Sequence, residues 1–438
     1  MSPSSSTTVP STSPDSAASG TVSGTVSGTV SGIVSSSVNP LRPLIAHRNF
    51  RLFWSGQTLS LVGTWMQTVA QGWLALQLTN SAFQVGLVTA AQQFPVLILS
   101  LYGGVIADRH DKLKLAKAGQ WLFVVQASLL WWFAWSGHMT IGWLLALATF
   151  SGLIASIEIP ARQSFIVELV GREDLVDAIA LNSAGFNLAR IVGPSIAALV
   201  IGTLGLQWCF ALNALSYIAV LGGLYMIRLP AWKAAESGTS PLEGILEGFR
   251  YVRETPLVYA LIRVIAVYSI FALAYISMMP VVAQDVLHTD AAGYGLLLTF
   301  VGVGALTGAL SLGLLGMRVK RGTLFIYSSY AFAVLLVIFS LVHVRWLASV
   351  VLFALGFAML LNGSLANGLL QSIVPDELRG RVVSAYVFVS VGLAPIGSFI
   401  AGAVAERAGV DWAIGGGAVI VLVYSVWAFR RYPAIREV

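Results

Sequence analysis

The chain has 438 residues, of which 57% are hydrophobic and only 10% charged, with a formal net charge of +6 and a mean hydropathy of +0.82. Soluble domains carry about 25% charged residues, and no soluble fold of this size hides so much apolar surface from water. Composition therefore excludes a cytosolic enzyme or a disordered regulator and points to an integral membrane protein, while the single Cys209 excludes an intramolecular disulfide framework and a cysteine-rich metal site.

Residues 1–40 are rich in Ser, Thr, Pro, Gly and Val and contain a tandem TVSG repeat from Thr21 to Gly32. Such a segment buries too little to offset chain entropy and is expected to be disordered. It lacks the basic start and compact apolar stretch of a secretory signal. From Phe53 onward, apolar blocks alternate with short polar loops. Twelve spans are expected, at about 53–78, 84–107, 116–136, 140–159, 178–204, 208–228, 257–284, 293–316, 323–342, 346–372, 382–405 and 412–430. Each suits a helix crossing a hydrocarbon core of about 30 Å. Barrel strands, which alternate in segments of about ten residues, do not fit.

Lys and Arg set the orientation. With the N-terminus inside, 21 of the 25 basic residues face the cytoplasm and only Arg345 and Arg407 face outside, with Arg190 and Arg263 inside spans. Both termini are therefore expected to be cytoplasmic. The longest loop between spans, Leu229 to Pro256, contains PLEGILEGFRYVRETP (Pro241–Pro256), which reads as an amphipathic helix on the membrane surface. It divides the chain into a tail at 1–40, a six-helix bundle at 41–228, a linker at 229–256, a second bundle at 257–430 and a cytoplasmic tail at 431–438. The halves echo each other: QSFIVELV (Gln163–Val170) matches QSIVPDEL (Gln371–Leu378), and Gly193-Pro194 matches Ala394-Pro395. Repeated six-helix halves are how many secondary transporters are built, with the substrate site between them near the midplane. Gly193, Pro194 and Pro395 are expected to bend their helices.

GGVIADRHDKLKL (Gly103–Leu115), between spans 2 and 3, resembles the loop signature of the major facilitator superfamily. Gly104, Asp108, Arg109 and Lys112 fill its glycine, acidic and basic slots, and Asp111 stands where a glycine is common. Four longer stretches resemble the enterobactin-exporter branch of that superfamily: Asn49–Ala82, Pro160–Pro194, Glu247–Pro256 and Val374–Tyr386. The resemblance runs over nearly the whole chain after residue 45. It implies an all-α membrane protein with twelve helices in two pseudo-symmetric six-helix bundles, alternating access, and proton-driven export of a small molecule. It identifies no substrate.

Within that frame Asp108 is expected to close the inner gate by accepting hydrogen bonds from a neighbouring helix N-terminus, that of span 11. Lys112 is expected to pair with Glu158, and Arg162, Arg379 and Arg381 join the gate. Arg190 lies roughly 18 Å along span 5, near the midplane, where a charge faces the bundle or a wet cavity and is functional by default. No carboxylate is central, since Glu158 and Asp285 both lie near span ends. A central base without a central acid favours anionic or neutral hydrogen-bonding cargo, a description that siderophores fit. Glu158 is the first candidate proton carrier, because burial raises a carboxyl pKa. Gln67, Gln71, Asn182, Asn187, Tyr268, Tyr275, Asn362 and Asn367 are candidate lining residues of the substrate and proton path, each either facing substrate or bridging helices.

The expected function is siderophore-like export across the bacterial inner membrane; multidrug or antibiotic efflux and import by the same fold are the alternatives. No HExxH pair argues for a membrane enzyme, and no GxxxxGK segment for an ATPase. No metal, cofactor or nucleic acid is expected. The expected partners are the small-molecule substrate and the bilayer, with a monomer as the working unit.

Overall fold

Hydrocarbon offers the backbone no hydrogen-bond partners, so apolar stretches of this length satisfy themselves as helices. The structure, a computed structural model, describes residues 41–229, 241–315 and 320–437. The expected disordered tail at 1–40 lies outside the described residues, as does the 230–240 part of the linker. Long helices follow one another at the expected positions. The first six are α1 (Arg48–Thr79), α2 (Ala82–Arg109), α3 (Lys112–Trp135), α4 (Ile141–Val170), α5 (Leu175–Thr203) and α6 (Gln207–Met226). After the surface helix Pro241–Glu254 come α7 (Pro256–Val286), α8 (Ala291–Leu315), α9 (Arg321–Ser340), α10 (Arg345–Ile373), α11 (Leu378–Ala408) and α12 (Val410–Arg431). Among the described residues, ten of these are long and apolar enough to cross a membrane unaided. The other two, α1 and α3, owe their lower hydropathy to glutamines and tryptophans such as Gln67, Gln71, Gln120 and Gln126. The fold is an all-α membrane bundle.

The packing repeats between halves. α2 lies along α4 as α8 lies along α10, and α3 along α6 as α9 along α12. Glycine makes the closest approaches possible. A side chain at Gly103 or Gly152 would collide with a backbone carbonyl across the α2–α4 contact, and one at Gly304 or Gly356 would do so across α8–α10. The halves meet through a symmetric pair of contacts, α2 with α11 and α5 with α8.

Local features refine the expected picture. α5 stays helical through Gly193 and Pro194. Gly193 lets α5 press against Trp65 and Val62 of α1. α11 does break, at Leu393, and restarts with Pro395 in its first turn. α7 carries two wide π turns, Tyr268–Ala272 and Val282–Val286, which periodicity did not reveal. Asp111, in the glycine slot, caps α3 by accepting from the Leu113 and Lys114 amides.

Candidate functional site

The two ends of the bundle are packed differently. At the end away from the chain termini, called here the far end, the halves are sealed. Ser195 of α5 and Thr299 of α8 share a hydrogen bond of 2.9 Å. Trp73 stacks on Tyr294 with centroids 6.0 Å apart. Phe83 of α2 meets Phe399 of α11 edge-on at 5.4 Å. Glu406, near the end of α11, accepts from the Ser81 hydroxyl at 3.0 Å and from the Phe83 amide at 3.2 Å. A carboxylate from one half thus caps the N-terminus of a helix in the other, where the helix dipole favours it. Gln284 adds a 3.1 Å bond to Asn80 across the same seam.

Toward the chain termini the same helices lie open. Tyr102 of α2 is 67% exposed and Leu310 of α8 is 71% exposed, with Phe186 of α5 and Val391 of α11 also exposed. Asp108 and Arg109 sit exposed at the end of α2, and Asp108 makes no hydrogen bond or ion pair among the described residues. The hydrogen bonds and ring contacts that join the halves are thus gathered toward the far end.

Between these ends lies a cavity of about 330 Å³. Its wall comes from α7, α10 and α11, including Tyr268, Met359, Asn362 and Tyr386. One lining residue comes from the first half: Arg190 of α5. Its Nε and Nη2 are buried with no hydrogen-bond partner, and so are the hydroxyls of Tyr268 and Tyr275. Tyr275 is close enough to interact electrostatically with Arg190. Both tyrosines pack on Phe332, with centroids 4.8 and 6.0 Å away. The π turn begins at Tyr268, a feature that often marks a functional position in a helix. Asn362 donates to Ser329 at 2.6 Å, tying α10 to α9 at the cavity wall.

The sequence profile of a family described as transmembrane secretion effector matches residues 35–437. The chain belongs to that family, a branch of the major facilitator superfamily. As a member it is a multi-pass membrane transporter and not an enzyme. It is 26% identical over 405 residues to the enterobactin exporter EntS of Citrobacter koseri, covering 90% of this chain and 96% of that one. It is 22% identical to the staphyloferrin A transporter of Staphylococcus aureus, covering 82% and 90%. Two solved structures share the fold at 14% identity. One is a bacterial homologue of the human lysosomal transporter Spinster (TM-score 0.68, 92% of this chain and 99% of that one); the other is the nucleoside transporter NupG (TM-score 0.69, 89% and 99%).

The structure corrects one pairing expectation and sorts the other candidates. Lys112 does not pair with Glu158. It pairs with Glu168 at 2.6 Å, because α4 continues past Pro160 to Val170 and places Glu158 ten residues, about 15 Å, deeper than Glu168. Glu158 is buried, and both its oxygens accept from Arg162 Nε at 3.1 and 3.3 Å, with Gln120 at 3.4 Å. Of their two expected roles, Gln67 and Gln71 take helix bridging and do not line the cavity. They lie in the core of the first half, where Asn213 donates to Gln67 at 2.8 Å and Gln67 approaches Gln71 and Gln126 at 3.4 Å. Amides surrounded by apolar side chains find one another, since each left alone costs a hydrogen bond.

The remaining candidates are placed less centrally. Asn187 donates to Ser183 O of its own helix, and Asn367 accepts from Gln371 one turn on. Asn182 is half-buried on α5, and Gly104 is half-buried with open space where a Cβ would point. Arg381 pairs with Glu247 of the surface helix, which it thereby ties to α11, and Arg379 donates to the Gln371 carbonyl at 3.2 Å. Sequence reading passed over Asn213, Gln126 and Glu406. The first two carried the signal used for Gln67, an amide deep in an apolar run. Glu406 lies at a span end beside Arg407, where a charge looks like an ordinary loop residue.

Proposed function

We propose that this chain exports a small siderophore-like molecule, anionic or neutral, across the bacterial plasma (inner) membrane by alternating access, driven by proton antiport. The observation that carries this reading is the central cavity: it is walled by three helices of the second half, takes Arg190 from the first, and lies between two halves whose packing repeats. The excess of Lys and Arg in the loops at the terminal end supports a cytoplasmic side for that end. The cavity then loads from inside, and breaking the Glu406 seal releases cargo outward. Relatives named as exporters or transporters of two siderophores support that cargo class. Asp108 gates the inner end in the opposite conformation, and the Arg162-paired Glu158 acts as a fixed gate charge.

Inside-out vesicles under an imposed pH gradient test the proposal, with enterobactin and staphyloferrin A offered as cargo. Uptake above that of vesicles lacking the protein, abolished by a protonophore, is expected. Uptake indifferent to the protonophore rejects proton coupling, and no uptake of either compound rejects siderophore export.

A further inference from the structure

We infer that the central cavity takes an amphipathic oxyanion, with a carboxylate-like head held by Arg190 of the first half and an apolar body lying on the second half. This rests on reading the cavity as the transport site. Arg190 Nε and Nη2 flank the same edge of the guanidinium, and both are buried without partners. That edge is the fork that receives both oxygens of a carboxylate at once. The hydroxyl of Tyr268, also on the cavity wall, is buried and unpartnered and supplies a further O–H donor.

Other polar groups of the wall are already engaged. Asn362 donates to Ser329, Tyr386 to the Gly363 carbonyl and Ser269 to the Ser390 carbonyl. Ile265, Leu273, Met359, Leu360 and Val391 leave the rest of the wall apolar. The buried carboxylate of α4 in the first half, Glu158, is occupied by Arg162. Arg190 has no acidic partner among the described residues, and a cation at midplane without a counter-charge is costly. A ligand that brings the anion removes that cost. Because Arg190 alone crosses to the other half's pocket, the bound anion also links the halves that must move together.

The test uses the full chain in lipid nanodiscs and two probes of matching shape, 4-phenylbutyrate and 4-phenylbutyramide, with binding read by calorimetry. The acid is expected to bind about tenfold or more tighter than the amide. Arg190→Gln should abolish that preference while the amide binds as before, Arg190→Lys should keep part of it, and Tyr268→Phe should weaken the acid alone by several-fold. Size-exclusion profile and melting temperature establish that each variant is folded. Equal binding of acid and amide, an undiminished preference in folded Arg190→Gln, or no binding of either probe up to about 10 mM overturns the inference. Acid preference without siderophore uptake in vesicles leaves the ligand class standing and removes export. Siderophore uptake without acid preference does the reverse.

Discussion

Replacing Glu406 with alanine removes the acceptor that ties the end of α11 to the start of α2. Two bonds are lost, the 3.0 Å contact from Ser81 and the 3.2 Å contact from the Phe83 amide. Both are charge-assisted, and the carboxylate also faces the positive end of a 28-residue helix. Exposure to water reduces such bonds toward the low end of their range, so the seal is worth about 2 kcal/mol in the far-end-closed state. At 1.4 kcal/mol per decade, losing it shifts the closed-to-open equilibrium by roughly 30-fold. A far-end-open population of about 1% would then rise to about 20%. Spin labels at His138→Cys and Val344→Cys, one on each half at the far end, report this as a longer distance component by pulsed electron resonance. The buried Cys209 is replaced by alanine in that background. Glu406→Gln, which keeps an acceptor but no charge, should give an intermediate shift. Identical distance distributions for wild type and Glu406→Ala would refute the assignment of the seal.

Other variants probe separate parts of the molecule. Arg162→Ala strands Glu158, whose side chain is only 5% exposed, and should cost roughly 3 kcal/mol of stability, with Glu158→Gln added to the same chain recovering most of the lost melting temperature. Asn213→Ala breaks the amide cluster of the first half and should lower stability by about 1–3 kcal/mol, while probe affinity at the central cavity is unchanged in calorimetry. A fluorescent protein fused to the C-terminus should glow and alkaline phosphatase fused there should be inactive; active phosphatase would place that end outside.

Much of the fold was written in hydropathy, because a residue's water-to-lipid preference needs no knowledge of its neighbours. Arg190 was legible for the same reason: its depth follows from counting along one helix. Pairings across helices were not. Glu158 and Glu168 are both acids near the inner end of span 4, and choosing between them required knowing that α4 continues beyond Pro160. Gln67, Tyr268 and Asn362 look alike in sequence, each a polar group deep in an apolar run. Only rotation about the helix axis decides which joins a core cluster and which faces the cavity, and the π turn at Tyr268 resets that rotation for α7.

The lopsided wall of the cavity divides labour between the halves. On the proposed reading, α7, α10 and α11 form nearly all the surface a guest touches, and changes to a few side chains there retune what is carried. The first half contributes one guanidinium and half of each seal, so it reads little of the guest beyond its charge. Related chains built on this plan are free to diversify their cargo through one bundle while the machinery of opening and closing stays shared.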